Sequence, residues 1–292
     1  MPVSTITLES SNGDSVVVSA PNDDYLTADI ILDTGPTGLY DVGFTVPTVS
    51  GAFEVGGRPV GEHVPIRDPI LPFWLTPASR PRFQRLWGTP FNLQKVKCTW
   101  DGPSGPRFLI LKLAKEISYT TEDGFDGAID DVYHAVVYAH AYNPMYEGVP
   151  NVQAWSNPAE GSHTGWFEVW NPTDQKLWLE WEFDPATQWQ FPDFAFGQEL
   201  NWNRPVGSDA ARMIVTPALT QLLSVMADPF MDTYVCADLS NAAGLFNGVE
   251  PLYAVPPYTA PLYMPVVCNG PAGAKVTLWQ HRFWSAESGL EA

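Results

Sequence analysis

Apolar and polar residues alternate with a period of two along much of the chain, which predicts strands rather than helices. The clearest run is Gly165–Gly197, GWFEVWNPTDQKLWLEWEFDPATQWQFPDFAFG. Leu177, Leu179, Trp181 and Phe183 share one face of it, and Trp178, Glu180 and Glu182 share the other. Upstream, Phe167 and Val169 oppose Trp166, Glu168 and Trp170. Asn171-Pro172-Thr173-Asp174 lies between the two runs and supplies turn chemistry, because Pro presets φ and Asn and Asp bond to nearby backbone. The pattern predicts an antiparallel hairpin, followed by a short third strand at Trp189–Phe191.

The same pattern continues on both sides. Val3–Leu8, Ser15–Ser19, Ala28–Leu32 and Tyr40–Thr45 are short β-type runs separated by turn clusters. Gly51–Arg67 reads as a long loop or as an arm, with Gly56-Gly57-Arg58-Pro59 at its tip. Ile70–Leu75 is an apolar strand, and Ala78–Trp87 is a short helix or turn. Phe91–Trp100 and Arg107–Tyr119 flank Asp101-Gly102-Pro103-Ser104-Gly105, a hairpin signal. Val132–Tyr142 is a further strand. Residues 146–162, rich in Pro, Asn, Ser and Gly, form the predicted linker between a 1–145 domain and a 163–292 domain. Beyond it, Ala211–Val215, Thr233–Ala237, Ala242–Phe246 and Lys275–Trp284 continue the strand pattern, and Pro251–Val267 is extended and Pro-rich. Thr216–Met226 fits either a helix capped by Thr216-Pro217 or a strand pair. The expected fold is all-β.

Composition adds one feature. The formal net charge of −18 is segregated: residues 1–57 carry −8, residues 58–115 carry +7, residues 116–150 carry −7 and residues 151–292 carry −10. A basic block between acidic ones permits complementary contacts within a subunit or between copies. Arg58, Arg67, Arg80, Arg82 and Arg85 in that block are the candidate subunit-interface residues. They lack the interleaved aromatics of a nucleic-acid site. No apolar run spans a bilayer, so membrane insertion is not expected. The opening MPVSTITLESSNGDS lacks a basic start followed by an apolar core, so no secretory signal is expected. Cys98, Cys236 and Cys268 are odd in number and widely spaced, which fits free thiols.

Candidate chemistry is sparse. His134 and His140 stand too far apart on one strand to share a metal unaided. The acidic loop Thr121–Asp131 lacks EF-hand spacing, and a solvated loop outweighs a calcium site. Trp170, Trp178 and Trp189 offer stacking faces and Glu180 an acceptor for a sugar, so carbohydrate binding is the alternative reading. A glycosidase needs two opposed carboxylates, whereas Glu180 and Glu182 lie side by side. No hydrolase or cofactor motif is visible, and neither an enzyme nor a cofactor is expected.

Four C-terminal stretches carry a resemblance: Phe246-Asn247-Gly248, Tyr253–Thr259, Leu262–Val266 and Gly273–Leu278. With the ending Arg282-Phe283-Trp284-Ser285 and Gly289-Leu290-Glu291, they resemble minor tail proteins of actinobacterial siphophages, of the distal-tail type. Ala286-Glu287-Ser288 departs from the Arg-Pro-Trp of that ending. Trp166–Gly197, Arg82–Trp87 and Arg107–Leu113 are similar to other parts of the family, so the likeness runs from about Ile70 to the end. The resemblance implies an N-terminal β domain that forms a ring of typically six copies, and a galectin-like, jelly-roll β-sandwich behind it. It implies a homo-oligomer at the virion tail tip, made in the host cytoplasm. Its implied partners are the tail tube protein, the hub or tail-associated protein and the tape measure protein, with DNA passing through the bore. An acidic bore would repel the phosphates of that DNA.

Overall fold

The computed structural model of the chain describes residues 4–21, 29–121 and 131–291. It divides into two compact units, Met1–Gly148 with Trp284–Leu290, and Val149–Phe283 with Glu291–Ala292.

In the first unit the strands are β1 (Thr5–Ser10), β2 (Ser15–Ser19), β3 (Ile30–Leu32), β4 (Thr48–Val49), β5 (Arg58–Pro59) and β6 (Ile70–Leu75). Helix α1 (Arg80–Trp87) follows, then β7 (Gly88–Thr89), β8 (Asn92–Leu93), β9 (Val96–Gly102), β10 (Gly105–Leu113), β11 (Ser118–Thr120), β12 (Tyr133–His140) and β13 (Tyr146–Gly148). The main sheet runs β2-β1-β9-β10-β12-β6-β3 and curls until β2 returns against β3, which nearly closes a barrel. Alternation decides which side faces inward. Leu109 and Leu111 of β10 and Ala135, Val137 and Ala139 of β12 are buried, while Ile110 points out. The expected β9–β10 hairpin is present, with Gly102 opposite Gly105. The predicted Arg107–Tyr119 strand breaks after Leu113, and β11 pairs β12 instead. The acidic loop lies, except at its ends, outside the described residues.

Helix α1 is the predicted Ala78–Trp87 element. Phe83, Leu86 and Trp87 recur at helical spacing and are buried, and Pro81 sits in the first turn. Gly88 ends it at φ 84°. A Cβ there would lie 2.2 Å from the Asn92 carbonyl oxygen, so only glycine fits the β7–β8 turn. Gly88→Ala is expected to destabilise the protein by at least roughly 1–3 kcal/mol. Thermal unfolding of the variant measures this, and an unchanged midpoint would contradict the assignment.

The second unit has strands β14 (Asn151–Ser156), β15 (Gly161–Asn171), β16 (Leu179–Phe183), β17 (Gln188–Pro192), β18 (Met213–Val215), β19 (Leu223–Met226), β20 (Tyr234–Cys236), β21 (Thr259–Gly270) and β22 (Lys275–Gln280). Sheet β14-β22-β16-β19-β20 and sheet β15-β21-β17-β18 make a two-sheet sandwich. Their inner faces share one aromatic core. Phe167 meets Trp181 edge-on at 5.3 Å, and Phe183 touches Trp189 at 5.4 Å and Phe191 at 5.2 Å.

Three expectations change here. The Trp166–Trp170 and Leu177–Phe183 runs are strands with the predicted faces, but they do not form a hairpin. β15 pairs β21 in one sheet, while β16 pairs β19 and β22 in the other. Both runs bury an apolar face, and facing each other across the core satisfies both. The segment 146–162 is mostly paired strand: β13 lies on β10, β14 on β22, and β15 begins at Gly161. The end of the chain also departs from a 163–292 domain, since Trp284–Leu290 packs with the first unit. Between the alternatives for Thr216–Met226, the structure has a strand, β19, in which Leu223 and Val225 are buried in alternation.

Candidate assembly surface

The five arginines of the basic block have different environments. Arg67 is 5% exposed. Its Nε donates to the Pro144 carbonyl at 2.8 Å, Nη1 to the Leu39 and Tyr40 carbonyls, and Nη2 to the Ser285 carbonyl at 2.8 Å. Arg67 is therefore a clamp inside the first unit, and its candidacy as a subunit contact is corrected. Burial pulls its guanidinium pKa below the ordinary value, an effect countered by nearby Tyr146, Glu287 and Asp41. Arg80 is half-buried and stacks over Tyr119 at 4.6 Å and Tyr133 at 4.9 Å. Arg82 and Arg85, further into α1, are exposed. Arg82 donates to the Ser15 carbonyl, and Arg85 Nε lies 3.5 Å from Asp14. Arg58 is exposed on the Gly51–Arg67 segment, 3.0 Å from Glu54. Exposed pairs like these contribute only about 0–1 kcal/mol each, so Arg58, Arg82 and Arg85 remain available for another molecule.

The sugar-binding set does not converge. Trp189 is 0% exposed, in the sandwich core, and its indole N–H donates to the Asp184 carbonyl at 2.9 Å. Its candidacy as a stacking face is corrected. The signal was visible in the sequence, because Gln188 and Gln190 alternate with Trp189 and Phe191. Trp170 is covered by the Arg282 guanidinium at 4.5 Å. Glu180 accepts from His281 Nε2 at 2.7 Å and pairs across strands with Trp279, which the sequence reading did not single out. Trp178 is half-buried.

The other titratable groups serve packing. His134 lies 3.3 Å from Asp33 and His140 2.6 Å from Asp68. Among the described residues no group of three or more His, Cys, Asp or Glu could hold a metal. Cys98, Cys236 and Cys268 are free, and burial pushes the Cys98 thiol to about 12 and the Cys268 thiol to about 11. Asp193 is raised by burial, against the opposing pull of the Leu252 and Tyr253 N–H groups and Arg212. Asp209 is lowered by the Tyr253 hydroxyl and Arg204. Together the two carboxylates tie down the strand-free stretch at Leu252–Tyr253. Among the described residues, no helix is long and apolar enough to cross a membrane.

The residue the sequence reading missed is Arg107, 1% exposed on β10. Its Nη1 donates to the Ala286 carbonyl at 2.9 Å and its Nη2 to the Gly289 carbonyl at 2.6 Å. Its guanidinium sits 4.1 Å from the Trp284 ring. Trp284 in turn fills the space that a Cβ on Gly148 would occupy, 2.4 Å away. These contacts account for the Trp-Ser…Gly part of the ending: its aromatic ring and its carbonyls are what the first unit binds.

The all-β chain, a curled sheet and a two-sheet sandwich, has a fold shared with solved phage hub and baseplate proteins. Specifically, it is similar to the crystal structure of the SPP1 Dit (gp 19.1) protein, described as a paradigm of the hub adsorption apparatus in phages infecting Gram-positive bacteria. That likeness has a TM-score of 0.56 and 13% identity over 94% of this chain and 98% of that one. A chain of the phage P2 baseplate, in its activated conformation with calcium, matches at TM-score 0.52 and 8% identity over 96% and 98%. At these identities the likeness concerns the fold. No protein-family model and no curated protein matches the sequence.

Proposed function

We propose that this chain is a structural subunit of a phage tail tip, of the distal-tail type, that works by assembly and turns over no substrate. The observation that carries the proposal is fold likeness to a tail hub protein along nearly the whole of both chains. Copies form a ring, six in number as the resemblance implies, between the tail tube and the hub or tail-associated protein, near the tape measure protein. DNA passes through the bore without specific binding, and the acidic balance of the chain keeps phosphates from sticking. The protein is made in the host cytoplasm and ends in the virion.

The exposed face of α1 tests this reading. Arg82→Glu together with Arg85→Glu is expected to lower the assembled mass, read by light scattering, from about six chains to one, with an unchanged circular-dichroism spectrum. Arg80 is left intact because its stacking on Tyr119 and Tyr133 supports the fold. Normal multimers of the double variant would remove α1 from the interface. A wild-type protein that stays single, and is absent from purified virions by mass spectrometry, would refute the proposed function.

A further inference from the structure

Every residue from 43 to 66 is exposed. The segment is nonetheless organised. β4 pairs β5, Thr45 bridges His63, Ser50 Oγ donates to the Gly56 carbonyl at 2.7 Å, and the Gly51 N–H donates to Glu54 at 3.1 Å. These ties are all polar. Phe44, Val46, Val49 and Val60 face solvent, and at the tip Phe53 and Val55 are 102% and 104% exposed. A two-stranded ribbon without apolar backing is marginal in water. Six exposed apolar side chains on one short ribbon exceed the single ones normal on a surface and mark contact with another molecule.

The same unit carries a matching feature. A cavity of about 460 Å³ opens beside α1, lined by Pro90, Leu93, Leu113, Ala114, Ile117 and Tyr119. That volume falls within the roughly 300–1,000 Å³ of sites that receive a ligand group. Full exposure of Phe53 and Val55 means that the tip does not occupy the cavity of its own chain. Charge favours the same match. The arm carries Glu54 and Glu62 against Arg58, whereas the cavity has Lys115 in its wall and Arg80 over its Tyr119, against Glu116. A tip on one patch and a cavity on another give a heterologous contact, the type that closes into rings.

We propose that the arm tip, Phe53 and Val55, seats in the Leu93–Ile117–Tyr119 cavity of a second copy of this chain. This inference rests on the ring reading above and names the contact that closes it. Phe53→Cys protein mixed with Ala114→Cys protein, both in a Cys236→Ser background, is expected to give an inter-chain disulfide under mild oxidation. Neither variant alone should give one. Phe53→Asp with Val55→Asp is expected to reduce the assembled mass to a single chain with an unchanged circular-dichroism spectrum, since both side chains are free of the core. Wild-type multimers that survive the Asp substitutions, with no disulfide between the two introduced cysteines in the mixed sample, overturn the arm contact while leaving the ring standing. Wild-type protein that stays single at all concentrations overturns the ring and the arm contact together.

Discussion

Arg107→Met is expected to destabilise the first unit by roughly 2–4 kcal/mol, a fall on the order of 5–15 °C in melting temperature. The guanidinium is 1% exposed and gives two charged hydrogen bonds to the carbonyls of Ala286 and Gly289. A charge-assisted bond contributes about 1.5–3 kcal/mol, and the face of Trp284 adds a cation–π contact. Met keeps most of the volume and removes the donors, which leaves two carbonyls without their partner. Deleting residues 284–292 should cost more, because it removes the same bonds from the other side together with the buried Trp284 ring and the Ser285 carbonyl held by Arg67. The two changes together should cost clearly less than their sum, as expected for partners in one network. Chemical denaturation of the four proteins completes that cycle. Additive losses would show that Arg107 and the C-terminal segment stabilise the fold independently.

Asn171→Asp is expected to be the more damaging substitution in the second unit, at roughly 3–5 kcal/mol. Asn171 is fully buried where the chain crosses from β15 to β16. Its Nδ2 donates to the carbonyls of Gln175 at 2.7 Å, Pro256 at 3.0 Å and Val255 at 3.2 Å. Its Oδ1 accepts from the Thr173 N–H at 3.1 Å and hydroxyl at 2.8 Å. The substitution keeps the shape and turns the donor side into an acceptor facing three acceptors. Burial next to carbonyls would also raise the pKa of the new carboxyl. Its folded-state pKa would then exceed the unfolded one, so the loss is largest at neutral pH and shrinks as pH falls and one donor returns. Urea titrations at pH 7 and pH 5 measure the difference. A variant equally stable at both, or as stable as the wild type, would show that the crossing does not depend on this side chain.

Asn171 also marks where sequence reading reached its limit. Asn171-Pro172-Thr173-Asp174 was legible as a turn, and the faces of the flanking strands were legible from alternation. What the turn joins was not. A hairpin turn and an arch between sheets use the same residue types, and the choice depends on Val255 and Pro256, more than eighty residues away. The candidate interface shows the same divide. Five arginines stand out in a charge count, but only the fold separates Arg67, which clamps Pro144 and Ser285, from Arg82 and Arg85 on the surface. Arg107 shares the inward face of Leu109 and Leu111 by alternation, but its partners Ala286 and Gly289 lie 179 and 182 residues away, which no local pattern reveals. The tip of the arm was visible as Gly56-Gly57-Arg58-Pro59, yet nothing local distinguished Phe53 and Val55 within that loop.

The sequence by itself determined that this is an all-β protein, which face of most strands is buried, and that Ala78–Trp87 is a short helix or turn. Those properties follow from periods of two and 3.6 residues, and neighbours along the chain are enough to set them. Only the tertiary structure decided which strands pair, that the two runs around Asn171 belong to opposite sheets, and that the last residues return to the first unit. Pairing and return depend on burying faces and satisfying buried polar groups that are far apart in the chain, and no local pattern encodes those distances.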